Sequence, residues 1–365
     1  MNPFVYTNFV KGRDFCPRPE AKKLKGRLES GHSVALIGPR RTGKTSLIYE
    51  GARLAKKKVS YVDFLSVTDE RDIAQRLLRG LDGIQSLKRS AIEYLSHIGI
   101  SFSVDPLTGN TAFSLSGRSA DDPDTIDRIL RSLVTLLETH PKTVLALDEF
   151  QAIKVLPNGK ALLALFRSHL QFVQQSVVYS GSIRHELEWV FNDYDSPYYK
   201  SVAILDVLPI DRTHFEPFLA RRFKKTGRVL VPEVWNYIWD VTEGFPGDVQ
   251  HLCSAIHDLS EAGKIDIKIA RAGLETVLKE RSSGHSSRFE LLPSVQRKVI
   301  IAIANQGGRE INSGDWIKKA GLSNASSILK AANGLVEKNF LWKEDGEYRF
   351  FDPFLKAWLQ IQFLR

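Results

Sequence analysis

The sequence predicts an α/β fold with a parallel sheet, extended by a helical region and closed by a small helix-and-hairpin domain. Three observations carry this expectation. A glycine-rich loop joins an apolar strand to a helix around residue 40. A second apolar strand ends in two acids at Asp148 and Glu149. After residue 291, three helical runs precede a strand–turn–strand pattern.

The loop is Gly38-Pro39-Arg40-Arg41-Thr42-Gly43-Lys44-Thr45, which fits the phosphate-binding pattern G-x-x-x-x-G-K-[ST]. It follows the apolar run Ser33–Ile37 and precedes a helix-like run from Ser46 to Ala55. That strand–loop–helix context argues against a chance match. Glycines let backbone N–H groups turn inward around phosphate oxygens, and the helix N-terminus adds partial positive charge. The candidate binding residues are Gly38, Pro39, Arg40, Arg41, Thr42, Gly43, Lys44, Thr45 and Ser46. Lys44 is expected to reach the β and γ phosphates, and the Thr45 hydroxyl to ligate Mg²⁺.

Composition narrows the class. At 365 residues, the chain has room for two or three domains. Apolar residues make up 43% and charged residues 25%, ordinary values for a globular protein. No apolar run is long enough to span a membrane, and the start Met1-Asn2-Pro3-Phe4 lacks a secretory pattern. Two cysteines, Cys16 and Cys253, rule out a disulfide framework, so the expected compartment is the cytoplasm. No Cys/His cluster has metal-site spacing. The net charge is +9 with a pI of about 9.4, which invites a nucleic-acid partner. The excess is diffuse, though, and vanishes over residues 209–290, as on an ordinary solvated surface.

Elements follow in order. An N-terminal loop leads to a helix from Glu20 to Ser30. Strands are expected at Ser33–Ile37 and Lys58–Leu65, with a helix from Asp69 to Leu81. Residues 99–116 alternate apolar and polar side chains around the turn at Pro106–Asn110, the signature of an inserted hairpin. A helix runs from Asp121 to Glu138, a strand over Thr143–Leu147, a helix over Ala161–Gln174 and a strand over Ser176–Tyr179. Ser201–Leu208 is a fifth strand, stopped by Pro209. Strands alternating with helices imply a parallel sheet covered on both faces. Strand signals fade from Asp211, where helices are expected at Thr213–Thr226, Pro232–Thr242, Asp248–Ala262 and Ile269–Arg281. The Ser- and Gly-rich stretch Ser282–Ser287 is the expected linker. Helices at Ser294–Asn305, Gly314–Ala320 and Ala325–Lys338 then precede a hairpin around Glu344-Asp345-Gly346, which is the winged-helix arrangement. The expected domains are a core over residues 1–208, a helical lid over 209–288 and a winged helix over 289–365.

A phosphate loop needs a metal-holding carboxylate on a neighbouring strand. Val144-Leu145-Ala146-Leu147-Asp148-Glu149 has that form. Asp148 is expected to hold Mg²⁺, and Glu149 to polarise an attacking water as general base. The strand at Ser176–Tyr179 ends in Ser180-Gly181-Ser182-Ile183-Arg184. Ser180 or Ser182 is a candidate γ-phosphate sensor, and Arg184 a candidate to neutralise phosphate charge. A plain turn is the alternative reading. Gly244-Phe245-Pro246 joins two helices, where a simple connector competes with a lid turn that approaches the nucleotide.

Together these motifs resemble the prokaryotic STAND-group ATPases within the AAA+-like P-loop NTPases, and most closely the "archaeal ATPase" family. The resemblance spans nearly the whole chain. It rests on Asn2-Pro3-Phe4, on Phe15-Cys16-Pro17-Arg18, on the doubled arginine Arg40-Arg41 and on Asp148-Glu149-Phe150-Gln151. Ser180-Gly181-Ser182, Ser196-Pro197-Tyr198-Tyr199, Gly244-Phe245-Pro246 and Asp352-Pro353-Phe354 extend it. The acidic run that usually follows the arginine is replaced here by Pro19-Glu20. The resemblance implies an ATP/ADP switch with slow hydrolysis, in which Arg18 and Pro246 join the nucleotide-binding residues. It also implies a lid and winged helix that move with nucleotide state. Many STAND proteins add a long repeat sensor and an effector, neither of which precedes Arg365. Signal and output are therefore expected from a protein partner, from DNA or from nucleotide-dependent self-association.

Two further readings compete. One is a DNA-binding ATPase of the origin-recognition or transposition-regulator type, using the winged helix. Its recognition helix, Ala325–Lys338, carries Ser326, Ser327, Lys330, Asn333 and Lys338 but no arginine, the commonest base reader. The other is a nucleotide-stabilised scaffold without turnover, against which the Asp148-Glu149 pair argues. No [NT]-K-x-D guanine-reading motif occurs, so ATP is the expected nucleotide.

Overall fold

The computed structural model describes residues 1–82, 100–104, 111–115, 124–182 and 184–363. They fall into two units: Phe9–Leu208, and Met1–Asn8 together with Pro209–Arg365.

The first unit contains α1 (Pro19–Glu29), β1 (Val34–Ile37), α2 (Lys44–Leu54), β2 (Lys58–Asp63) and α3 (Glu70–Asp82). It continues with the hairpin strands β3 (Ile100–Val104) and β4 (Thr111–Leu115), then α4 (Thr125–Thr139) and β5 (Thr143–Asp148). A short 3-10 helix (Phe150–Val155), α5 (Gly159–Leu170), β6 (Val177–Gly181), α6 (Arg184–Asn192) and β7 (Ala203–Asp206) complete it. The five-stranded sheet has the order β2-β5-β6-β1-β7, and every pairing in it is parallel. β3 and β4 pair antiparallel as the alternation predicts, with Phe102 opposite Phe113.

Successive residues of each strand face opposite sides of a sheet. Leu145, Leu147, Val177, Tyr179 and Ile37 therefore enter one core with α3, α4 and α5. Val144, Ala146, Val178, Val34 and Leu36 enter the other with α1 and α2. All six residues of β5 are buried, which explains why it reads as an unbroken apolar run. Fully burying one such Leu or Val contributes about 1.5–3 kcal/mol.

In the second unit, α7 (Arg212–Lys224), β8 (Arg228–Leu230), α8 (Pro232–Thr242), α9 (Pro246–Asp258) and β9 (Gly263–Ile265) precede the long α10 (Ile267–Glu290). Then come α11 (Ser294–Gln306), α12 (Gly314–Lys319), α13 (Ala325–Glu337), β10 (Leu341–Glu344), β11 (Glu347–Phe350) and α14 (Pro353–Phe363). Three helices followed by the antiparallel β10–β11 hairpin make the expected winged helix. α14 was not anticipated.

The structure corrects three further expectations. Ser282–Ser287 is no linker, because α10 runs through it as helix. Gly284 alone costs about 1 kcal/mol there, but His285 and Phe289 are buried on the same helix. Phe289 packs edge-on against Trp358, with ring centroids 5.9 Å apart. Tertiary packing outweighs local propensity. Strand structure also does not end at Asp211: β8 and β9 form a parallel pair, Val229 opposite Lys264. Each strand has only three residues, too few for a periodic signal. Finally, Met1–Asn8 packs with the second unit. The Phe4 ring packs tilted against Phe223, centroids 4.6 Å apart, and the Asn2 amide donates to the Ser254 carbonyl at 3.1 Å.

Candidate nucleotide and metal site

The site lies at the carboxyl ends of β1, β5 and β6, where a parallel sheet leaves a crevice for ligands. Because β6 lies between β5 and β1, its end is set between the acids and the glycine-rich loop.

The loop explains its own glycines. A Cβ on Gly38 would stand 2.0 Å from the Val207 carbonyl oxygen, so no side chain fits beside β7. Gly43 holds φ at 84° as the residue before α2, and among the described residues no neighbour lies within 4 Å of where its Cβ would be. The first helical bond there runs from Leu47 N to Gly43 O at 2.9 Å. The N–H groups of Lys44, Thr45 and Ser46 therefore have no acceptor in the helical ladder, as an anion-binding helix start requires.

Lys44 is 7% exposed. Its ammonium donates to the carbonyls of Gly38 at 2.8 Å and Pro39 at 2.9 Å. Burial lowers its pKa, opposed by the charges of Glu149 and Asp148. Thr42 is fully buried and donates to Pro39 O at 2.9 Å. The Ser46 hydroxyl accepts from Val10 N at 3.0 Å, so it anchors the N-terminal segment onto α2. Arg41 adopts a left-handed backbone, with φ at 67°.

Among the described residues, Asp148 collects four donors. Oδ1 accepts from the Ser180 hydroxyl and from Glu149 N at 3.0 Å. Oδ2 accepts from the Tyr61 hydroxyl and from Thr45 Oγ1 at 3.4 Å. Loop and acidic strand thus meet through Thr45 and Asp148. Glu149 has a left-handed backbone, with φ at 50°. Its Oε2 accepts from Gln151 Nε2 at 2.6 Å, Ser182 Oγ at 2.8 Å and Ser182 N at 3.3 Å. Arg40 Nε in turn donates to Ser182 Oγ at 3.3 Å. The two serines left open by the sequence therefore divide: Ser180 serves Asp148 and Ser182 serves Glu149.

The acids stand on an aromatic floor. Phe150 follows them directly and packs against Tyr179 at 4.8 Å, Tyr198 at 5.4 Å and Phe166 at 5.7 Å. Tyr198 of the Ser196–Tyr199 segment is buried there.

Arg18, expected among the nucleotide-binding residues, is engaged within the protein. Its guanidinium donates to Thr42 O at 3.0 Å, Leu208 O at 2.7 Å and both oxygens of Glu20. The Arg184 side chain lies outside the described residues; its backbone begins α6. Pro246 opens α9 in the second unit, after Gly244 at φ 76°. Tyr61 and Gln151 are the contributors that sequence reasoning missed. Gln151 sat within the Asp148–Gln151 motif, whereas nothing in its strand marked Tyr61.

Residues 284–361 match a protein family described as "Probable winged helix domain". No curated protein sequence matches the chain. Among solved structures, the chain is similar to the Walker-type ATPase PabY2304 of Pyrococcus abyssi. Identity is 20%, over 98% of this chain and 99% of that one, with a TM-score of 0.70. It is also similar to the ORC2 protein of Aeropyrum pernix in ADPNP–ADP complexes. There identity is 15%, over 100% of this chain and 98% of that one, with a TM-score of 0.58. The fold is that of the P-loop ATPases, a parallel five-stranded α/β sheet, with a C-terminal winged helix.

Proposed function

We propose that the chain is a cytoplasmic, Mg²⁺-dependent ATPase switch of the STAND-group "archaeal ATPase" kind. Its division of labour would follow a core to about residue 208, a helical lid and a winged helix. One observation carries the reading: Thr45 of the loop and Asp148 of β5 are hydrogen-bonded, with Glu149 held beside them. A hydroxyl and a carboxylate so joined are the donor set a Mg²⁺ ion takes alongside phosphates. Bound there, the ion would neutralise charge developing on the transferred phosphoryl group.

The chain's own residues do the rest. The amides opening α2, with Lys44, hold the phosphates of ATP. Ser180 keeps Asp148 oriented. Glu149 takes a proton from water once its carboxylate leaves Ser182 and Gln151. Arg40, bonded to Ser182, would exchange that hydroxyl for phosphate charge, and Arg184 is a further candidate. Arg18 acts indirectly, by fixing the loop at Thr42. Pro246 relays nucleotide state to the lid and so to the winged helix. The similar proteins, a Walker-type ATPase and an ORC2 protein in ADPNP–ADP complexes, support nucleotide binding.

The test is a pair of variants. Lys44→Ala is expected to lose ATP binding, whereas Glu149→Gln keeps binding and loses phosphate release. Undiminished hydrolysis by the Glu149 variant would remove the assigned base. Sizing with ADPNP, with ADP and without nucleotide reports whether a homo-oligomer forms.

DNA binding through the winged helix is the second reading, favoured by the family match over residues 284–361. The recognition helix weakens it. Ser326 is bonded to Asn324, Asn333 accepts from Tyr348, and Lys338 donates to Gln296. A protein partner therefore stands ahead of DNA as the receiver of the signal. No retardation of duplex DNA in a low-salt gel shift would dismiss the DNA reading.

A further inference from the structure

We propose that Tyr61 is a positioning residue for the metal-holding carboxylate, setting the Mg²⁺ dependence of nucleotide binding through Asp148. The inference rests on the ATPase reading above and deepens it. Tyr61 lies on β2, which pairs directly with β5, and Tyr61 is opposite Ala146 in that register. Its hydroxyl donates to Asp148 Oδ2, the oxygen that Thr45 also reaches. An ionised carboxylate offers about two acceptor positions per oxygen. Ser180 and Glu149 N occupy those of Oδ1, while Tyr61 and Thr45 share Oδ2.

The four bonds are not equal. Thr45 makes the longest, at 3.4 Å, and it is the donor whose hydroxyl the proposed metal site needs. The other three hold the carboxylate in place while Thr45 is released. Of these, the Tyr61 bond is the one that secures Oδ2, the oxygen Thr45 reaches.

The phenol is well held. Its ring lies 6.1 Å from that of Tyr49 on α2, and Tyr49 stacks on Phe9 at 4.0 Å with an 11° interplanar angle. A phenol is protonated at neutral pH, so the hydroxyl is a donor. An aromatic column therefore runs from the N-terminal segment across the phosphate-loop helix to the carboxylate. A hydrogen bond to a ligating carboxylate typically changes metal affinity 10- to 100-fold when removed.

The experiment compares wild type, Tyr61→Phe and Tyr49→Leu by titrating ADPNP in MgCl₂ and in EDTA, with melting temperature recorded beside. Tyr61→Phe keeps the ring and deletes only the donor. Its ADPNP affinity in EDTA should match wild type, while the gain on adding Mg²⁺ should shrink about tenfold. Tyr49→Leu keeps the hydroxyl but removes the ring it packs near, and should show a smaller fall of the same kind. A purely structural tyrosine would change both buffers equally, or the melting temperature alone, and either result overturns the proposal. If Tyr61→Phe does not fold, an unchanged Mg²⁺ gain in Tyr49→Leu overturns it and a reduced gain upholds it. Wild type that binds no ADPNP in either buffer refutes the ATPase reading itself, a different failure from equal Mg²⁺ gains.

Discussion

Arg18 offers the sharpest test of how the loop is held. The residue is 6% exposed and bonds three parts of its unit: the loop at Thr42, the chain after β7 at Leu208, and Glu20 on α1. Arg18→Ala would strip donors from two carbonyls and leave the Glu20 carboxylate without its hydrogen-bonded countercharge. Hydrogen bonds to a charged group contribute roughly 1.5–3 kcal/mol each, and breaking one side of a buried ion pair costs about 3–5 kcal/mol. Glu20 keeps 21% of its side chain exposed, so water recovers part of its share. The net loss is about 3–4 kcal/mol. For a unit of this size, that lowers the melting temperature by roughly 6–16 °C. Glu20→Gln is the control, because it removes the carboxylate charge but leaves both carbonyl bonds. Thermal melting of the two variants decides the matter. ADPNP titration should show the Arg18 variant binding more weakly, since its loop is no longer pre-ordered. Equal losses of stability in the two variants would refute the assignment of Arg18 to the loop.

Three other outcomes are expected. Burial raises the Glu20 pKa, but the Arg18 hydrogen bond and charge outweigh it and hold the carboxyl below its usual value. Its stabilisation is therefore present above the unfolded pKa of about 4.3 and lost as pH falls through the folded value. Melting temperatures should drop as pH falls below the unfolded pKa of about 4.3, less steeply in Glu20→Gln; an equally steep limb contradicts this. Gly38→Ala forces a Cβ to within 2.0 Å of a backbone oxygen and should cost at least about 1–3 kcal/mol in chemical denaturation. In the second unit, Arg281 lies 3.6 Å from the fully buried Asp248 and 3.9 Å from Asp352, which His285 also contacts at 3.2 Å. Arg281→Met should destabilise by about 3–5 kcal/mol in thermal unfolding. Adding Asp248→Asn should recover part of that loss, because the buried carboxylate is then gone.

What the sequence revealed and what it hid divide along a physical line. The loop and the acids were readable because each packs its chemistry into a few consecutive residues: a turn that needs Gly38 and Gly43, and a buried strand that must end in Asp148. The partners of those residues depend instead on which strand lies beside which. Tyr61 reaches Asp148 only because β2 pairs with β5, and Ser180 reaches it only because β6 separates β5 from β1. No periodicity in the chain encodes that order. The misread segment at Ser282–Ser287 has the same origin: Gly284 signals a break locally, while the buried faces of His285 and Phe289 impose helix from a distance. Arg18 shows the distinction within one residue. Its place in a motif pointed to the nucleotide, yet its bonds run to Thr42 and Leu208, 24 and 190 positions away along the chain. A motif can thus mark a residue as necessary while its neighbours in space decide what it does. Here that part is to tie the phosphate loop to the last residue of its own unit, at Leu208.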